Sequence, residues 1–106
     1  MNEGFGIPKN IQALLIGVFA RHASIEEVRI YGSRARGAAA IGSDIDLVVF
    51  APSMSEREFA ALWDEIDALP IALAVDLVHW DSLRDPALRQ VIEQESKPFY
   101  RPARAR

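Results

Sequence analysis

The chain has 106 residues, half of them hydrophobic and a quarter charged, with a formal net charge of −3; this is the composition of one compact globular domain, and it excludes a disordered chain or a second core. With no cysteine, disulfide frameworks, thiolate metal sites and cysteine nucleophiles are excluded and the cytoplasm is the expected compartment; no apolar stretch approaches a membrane span and the first residues predict no export signal. Residues 1–96 carry all 15 acids and eight of the 12 bases, an acidic body that argues against direct, charge-driven nucleic-acid binding.

In chain order, Ile11, Leu14, Leu15, Val18 and Phe19 recur at three- and four-residue spacing between Pro8 and His22. This predicts a helix with one buried stripe and Pro8 in its first turn. Glu26 to Tyr31, EEVRIY, alternates Val28 and Ile30 and stops at Gly32, so it reads as a first strand. Ser33 to Gly42, rich in Arg, Ala and Gly, reads as a loop with a helical turn, since Gly37 weakens any longer helix. Branched apolar residues make Asp44 to Phe50 a second strand, stopped by Ala51-Pro52. Ser53 or Ser55 caps a helix running to about Ala68, which buries Phe59, Leu62, Trp63, Ile66 and Leu69 and has Glu56 and Glu58 near its positive end.

Ile71 to Trp80, IALAVDLVHW, is the third strand, too hydrophobic on both faces for an open surface. Asp81 or Ser82 starts a last helix, or two short ones broken at Pro86, with Leu88, Val91 and Ile92 inward and an end near Ser96. Lys97 to Arg106 holds the other four bases and reads as an extended basic tail, giving one domain over residues 1–96 and a tail over 97–106. This order of elements predicts an α/β or α+β domain with a small sheet.

The functional signal lies in the acids of the strands. Side chains two apart on a strand share a face, about 6.6 Å apart, so Asp44 and Asp46 point together while Ile45, Leu47 and Val49 take the other face. Asp76 joins them if the second and third strands are neighbours in register. Singly, Asp44 reads as a turn residue, Asp46 as an edge-strand surface acid and Asp76 as an arginine's partner. Together, three part-buried carboxylates repel unless a cation joins them. All-oxygen donors favour Mg²⁺ or Mn²⁺, which keeps waters and completes its shell with substrate phosphates.

Gly32 and Ser33, directly after the first strand, suit phosphate capture, because glycine lets backbone approach while the next amides and Ser33 Oγ can donate. An ordinary strand-ending turn is the alternative. Arg34 and Arg36 could grip phosphate in a fork or form a solvated or partner-facing pair, and both readings stay open. His22 and His79 have no paired spacing with another His or Cys and read as structural. Trp63 reads as core, and Trp80 as packing or bordering the site.

Gly32-Ser33, ten residues, then Asp44-Ile45-Asp46, with Asp76 in AVDLV on a later strand, resembles the nucleotidyltransferase superfamily typified by DNA polymerase β. The short chain with GSRARG...SDIDLVV resembles its minimal nucleotidyltransferase (MNT) branch, over about Val28 to Trp80. That resemblance implies a polymerase β palm-like mixed sheet flanked by helices, two Mg²⁺ ions on Asp44, Asp46 and Asp76, and Gly32 and Ser33 holding the tail of a nucleoside triphosphate. It implies that Asp76 binds the metal nearer the attacking oxygen and helps take its proton, as a nucleoside monophosphate passes to a hydroxyl and pyrophosphate leaves. It further implies a HEPN-domain RNase toxin as partner in a hetero-oligomer. The chain would be the antitoxin of a type VII toxin-antitoxin pair, transferring AMP from ATP to a tyrosine of the toxin. A binding-only antitoxin and a small-molecule nucleotidyltransferase are the competing expectations, the latter usually needing a further helical domain.

Overall fold

Four short strands form one mixed sheet in the computed structural model, which describes residues 4–103. They are β1 (Glu27–Tyr31), β2 (Ile45–Phe50), β3 (Val75–His79) and β4 (Lys97–Tyr100), in the spatial order β3-β2-β1-β4. β1 runs antiparallel to β2 and to β4, whereas β2 and β3 are parallel. A parallel pair requires a crossover, and α2 (Glu56–Asp67) supplies it. The described structure is completed by α1 (Lys9–Phe19), a 3-10 turn over Trp80–Ser82 and α3 (Pro86–Glu95).

Alternation along the strands sorts the two faces. Ile30 opposes Leu47 and Val28 opposes Val49, so these four share a face with Ile45 and Leu77. There they meet Leu15, Val18 and Phe19 of α1 and Leu62 and Ile66 of α2, all buried. Each such side chain contributes about 1.5–3 kcal/mol, which fixes the register and so the direction of every polar residue between them. The second face holds Tyr31, Val48, Phe50 and Val78, on which α3 lays Leu88 and Ile92. Asp76, on the same face, stays exposed.

The caps follow side-chain chemistry. Ser55 Oγ accepts from the Glu58 amide at 3.0 Å, with Glu56 and Glu58 in the first turn of α2. Asp85 accepts from the Ala87 and Leu88 amides, with Pro86 beginning α3 rather than breaking a helix. Asp81 and Ser82 therefore belong to the 3-10 turn and cap nothing longer. Leu14, expected in the buried stripe, is 36% exposed because the stripe of α1 closes on Leu15, Val18 and Phe19.

Two larger expectations are corrected. The third strand spans only Val75–His79 and lies at the sheet edge, with Leu77 packed under α2 on one face and Val78 packed against the Val48 and Ile92 cluster on the other. The extended tail does not begin at residue 97: Lys97–Tyr100 is β4, paired with β1. Phe99 and Tyr100 set their rings 6.4 and 6.0 Å from Phe19. Arg29 secures the turn into β4 through Ser96 Oγ and the Ser96 carbonyl, both at 2.8 Å. Residues 104–106 lie outside the described residues. Ser33–Gly42 forms turns without a helix, and among the described residues no helix is long and apolar enough to cross a membrane.

Candidate active site

β2 and β3 deliver Asp46 and Asp76 to the second face as direct register partners, on backbones about 4.8 Å apart. Asp44 is exposed in the segment entering β2, and Asp46 is half-buried. Burial pushes the Asp46 carboxyl above its ordinary range; Asp76 and then Asp44 push it the same way, and Arg34 opposes them. Asp44 and Asp76, the other two acids singled out from the sequence, therefore both act on Asp46.

Tyr31, the register partner of Asp46 across β1 and β2, is a member of this group that sequence reasoning missed. Its hydroxyl is pushed up to about 12 by burial, then by Asp46 and Asp76, so it stays neutral at physiological pH. Strand alternation could have placed Tyr31 on a face. Only the pairing of β1 with β2 puts that face against the acids.

Gly32 has φ +80°, and a Cβ built on it would stand 2.6 Å from Asp46 Oδ2. Glycine is needed here for its backbone conformation and for that close approach. The chain then turns tightly, the amides of Arg36, Gly37 and Ala38 donating to the carbonyls of Gly32, Arg34 and Ser33 at 3.2, 3.2 and 2.9 Å. The amides of Ser33, Arg34 and Ala35 have no acceptor among the described residues. Successive free amides in a turn are what anionic oxygens bind.

The two arginines separate. Arg34 is buried at 4% exposure, beside Ala35 in the core. Its Nε and Nη2 donate to the Ser43 carbonyl at 3.1 and 2.6 Å, and Nε also to that of Asp44 at 3.3 Å. Its Nη1 donates to the carbonyls of Phe5 and Gly6 at 3.0 and 3.2 Å. This differs from both sequence readings, phosphate fork and outward-facing pair: every guanidinium nitrogen is spent on backbone carbonyls, stapling the N-terminal turn to the segment that carries Asp44. Arg36 is half-exposed and donates to Glu95 Oε1 at 2.9 Å, tying the turn to α3.

Among the described residues no group of three or more His, Cys, Asp or Glu side chains is drawn together closely enough to hold a metal. Asp44, Asp46 and Asp76 share a face without closing a shell. Their chemistry nonetheless fits a hard divalent cation, being carboxylate alone, with Asp46 strained by burial and by its like-charged neighbours. Volume does not mark the site: a cavity of about 790 Å³ lies beyond the turn, lined by Phe5, Ile11, Arg34 and Leu73 among others, and none of the three acids lines it.

The histidines are structural. His79 Nε2 donates to the Ala51 carbonyl at 2.9 Å, and since a carbonyl only accepts, Nδ1 is left to receive the Ser82 hydroxyl at 3.2 Å. Phe59 stacks on its ring at 5.1 Å. His22 joins α1 to α2 between Glu58 and Glu65, at 3.1 and 3.2 Å. Trp80 packs on Phe50 at 5.1 Å, under the Arg89 guanidinium.

A family model described as polymerase beta, nucleotidyltransferase matches residues 14–104. Among solved structures, a toxin-antitoxin with AMP-PNP is 23% identical, with a TM-score of 0.65 over 84% of this chain and 72% of that one. A complex of the tri-AMPylated Shewanella oneidensis HEPN toxin with MNT antitoxin is 20% identical, with a TM-score of 0.61 over 87% of this chain and 71% of that one. A structure described as a minimal nucleotidyltransferase is 29% identical, with a TM-score of 0.57 over 85% of this chain and 90% of that one. No curated protein sequence matches.

Proposed function

This chain belongs to the polymerase beta nucleotidyltransferase family, and we propose on that premise that it transfers AMP from ATP to a tyrosine hydroxyl of a HEPN-type RNase toxin, which it thereby neutralises. One observation carries the reading. The Asp46–Asp76 cross-strand pair lies beside a glycine turn whose free amides can take phosphate, so anion-binding and cation-binding groups meet at one end of the sheet. The likeness to toxin-antitoxin complexes, one of them with AMP-PNP and one with an AMPylated HEPN toxin, supports the choice of nucleotide and partner.

The Ser33, Arg34 and Ala35 amides and Ser33 Oγ hold the β- and γ-phosphates, orienting the triphosphate with its α-phosphorus over Asp46. Asp44, Asp46 and Asp76 would hold two Mg²⁺ ions, with Mn²⁺ a possible substitute; when bound, such a pair stabilises the attacking and leaving oxygens of an in-line displacement. Asp76, on the side away from the phosphate turn, receives the proton of the attacking hydroxyl. Arg34 touches no phosphate in this scheme. It holds the backbone of Ser43 and Asp44, and with it the carboxylate of Asp44, in place for cation binding. Tyr31 lines the acid cluster as a neutral group, adding no further negative charge.

The test is incubation of the chain with ATP labelled at the α-phosphorus, Mg²⁺ and a HEPN-type RNase. Label on a toxin tyrosine, with loss of RNase activity, is the expected outcome. Full neutralisation with no label transferred would replace this reading by a binding-only antitoxin.

A further inference from the structure

We propose that the open edge of β3 is the acceptor site, taking an extended, tyrosine-bearing and basic segment of the partner protein as a fifth strand of the sheet; this rests on the transferase reading above.

The edge offers backbone groups that only another extended chain can satisfy together. The Ile45 amide donates to the Ala74 carbonyl at 2.8 Å, and the parallel register of Ile45 with Val75 and Leu47 with Leu77 turns Asp76 and Val78 inward to β2. Val75 and Leu77 then aim their N–H and C=O groups away from the sheet, and these have no partner among the described residues. β4, the opposite edge, carries Lys97 and Pro98, the residue types that guard a sheet edge. From Ala72 to His79, β3 and its approach carry neither.

Direction singles out the same edge. Across the sheet lie the Gly32–Ser33 turn at the end of β1, then Asp46 on β2, then Asp76 on β3, then open space. In an in-line displacement the nucleophile enters opposite the leaving group. Pyrophosphate held on the β1 side therefore requires the hydroxyl to arrive from the β3 side. There the tyrosine oxygen bonds to the α-phosphorus of ATP, and the bond from that phosphorus to the bridging oxygen breaks. Pyrophosphate leaves with the electron pair, and the phenolic proton passes to Asp76 and on to water.

Strand alternation adds a specificity. A tyrosine set beside Asp76 projects on the second face, so its immediate neighbours project on the first. A cleft of about 140 Å³ waits there, lined by Ile66, Asp67, Leu69, Ile71 and Val75 among others. It has room for one aliphatic side chain next to the tyrosine. Asp67 is the one charged residue lining that cleft, so the complementary segment carries lysine or arginine beside it and no acid.

The experiment uses the full chain with Mg²⁺ and a capped Lys-Val-Tyr-Val-Lys peptide at millimolar concentration. Amide exchange is followed with a non-hydrolysable ATP analogue, and transfer with α-labelled ATP. The expected results are about tenfold slower exchange at the Val75 and Leu77 amides with little change at Asp76 and Val78, and label on the peptide tyrosine. Val75→Pro, a proline at the first residue of a strand, should lose the protection at the Leu77 amide and most transfer while keeping its thermal shift with Mg²⁺ and ATP. Peptides N-methylated at alternate residues should divide into active and inactive sets. Transfer at an unchanged rate without protection at Val75 and Leu77, or absence of both, overturns the acceptor edge. Protection without transfer supports the edge and counts instead against the transferase reading.

Discussion

Gly32 and Asp46 are in contact from backbone to carboxylate: a Cβ on Gly32 would stand 2.6 Å from Asp46 Oδ2. The turn proposed to hold phosphate and the central acid are therefore packed with no room for a side chain between them. Gly32→Ala has two costs of different kind. The φ of +80° costs a non-glycine residue about 1–2 kcal/mol. The steric conflict is with the end of a side chain, so the Asp46 carboxylate can swing away at little cost in stability. That displacement falls on the group needed for cation binding. The variant should lose only about 1–2 kcal/mol in urea unfolding, yet lose AMP transfer about a hundredfold or more. Full transfer would show that the contact has no functional weight.

Asp46→Asn keeps the shape of the side chain and removes its charge. Transfer should fall at least about a hundredfold. The metal-free protein should be equally or slightly more stable, by on the order of 1 kcal/mol or less, because burial and the Asp76 and Asp44 carboxylates all work against the charged form. Urea unfolding in EDTA and a transfer assay in Mg²⁺ check the two halves. Normal turnover in the variant would remove Asp46 from the proposed cation site.

Mg²⁺ with ATP should raise the melting temperature of the chain, since a ligand at a hundred times its Kd adds about 2.7 kcal/mol to folding. The rise should be smaller with either alone and lost in Asp46→Asn. Scanning calorimetry of wild type and variant reads this directly. Equal shifts in both proteins would place the nucleotide elsewhere.

Much of this was legible in the sequence because hydrophobic alternation and acid spacing are local. Ile45, Leu47 and Val49 fix the inward face of β2, and that alone turns Asp46 outward. Val75 and Leu77 do the same for Asp76. What the sequence could not supply was pairing. Tyr31 joins the acids only because β1 lies antiparallel to β2. β3 lies at the sheet edge beside β2, a position its apolar residues do not report. Lys97–Tyr100 reads as a polar end until Phe99 and Tyr100 find Phe19, some eighty residues earlier. Arg34 was misread for the same reason, its acceptors being carbonyls that no side-chain pattern reports.

Arg34 and Arg36, adjacent in type and spacing, should respond very differently to mutation. Arg34→Ala strips donors from four carbonyls, those of Phe5, Gly6, Ser43 and Asp44. Some regain water at the cavity wall, so a loss on the order of 2–4 kcal/mol is expected. Transfer should fall as well, through the loosened Asp44 backbone. Arg36→Ala breaks one half-exposed ion pair and should cost less than about 0.5 kcal/mol. Urea unfolding of both variants, with Arg34→Lys as a partial rescue, decides whether the buried arginine is a staple. Equal small losses would reject it.

Two carboxyls should give the metal-free protein opposite pH dependences. The folded value of Asp46 is raised above its ordinary 3.8, so its contribution favours folding below that pH and is lost as pH rises through the folded value. Glu65 is lowered from 4.5, chiefly by the hydrogen bond from His22, against some desolvation and with help from Arg21. Its contribution is present above 4.5 and lost as pH falls through the folded value. Urea midpoints in EDTA across pH 3 to 8 separate the two. The advantage of Asp46→Asn over wild type should grow as pH rises from about 4, whereas the deficit of Glu65→Gln should vanish toward acid. Glu65 is a third exposed and one of its partners, Arg21, is mostly in solvent, so its deficit should also shrink in high salt. Asp46 is half-buried among fixed neighbours and should keep most of its effect. Curves for both variants that run parallel to wild type at every pH would mean that neither carboxyl is coupled to folding, and would take with them the claim that the acid face is strained without its cations.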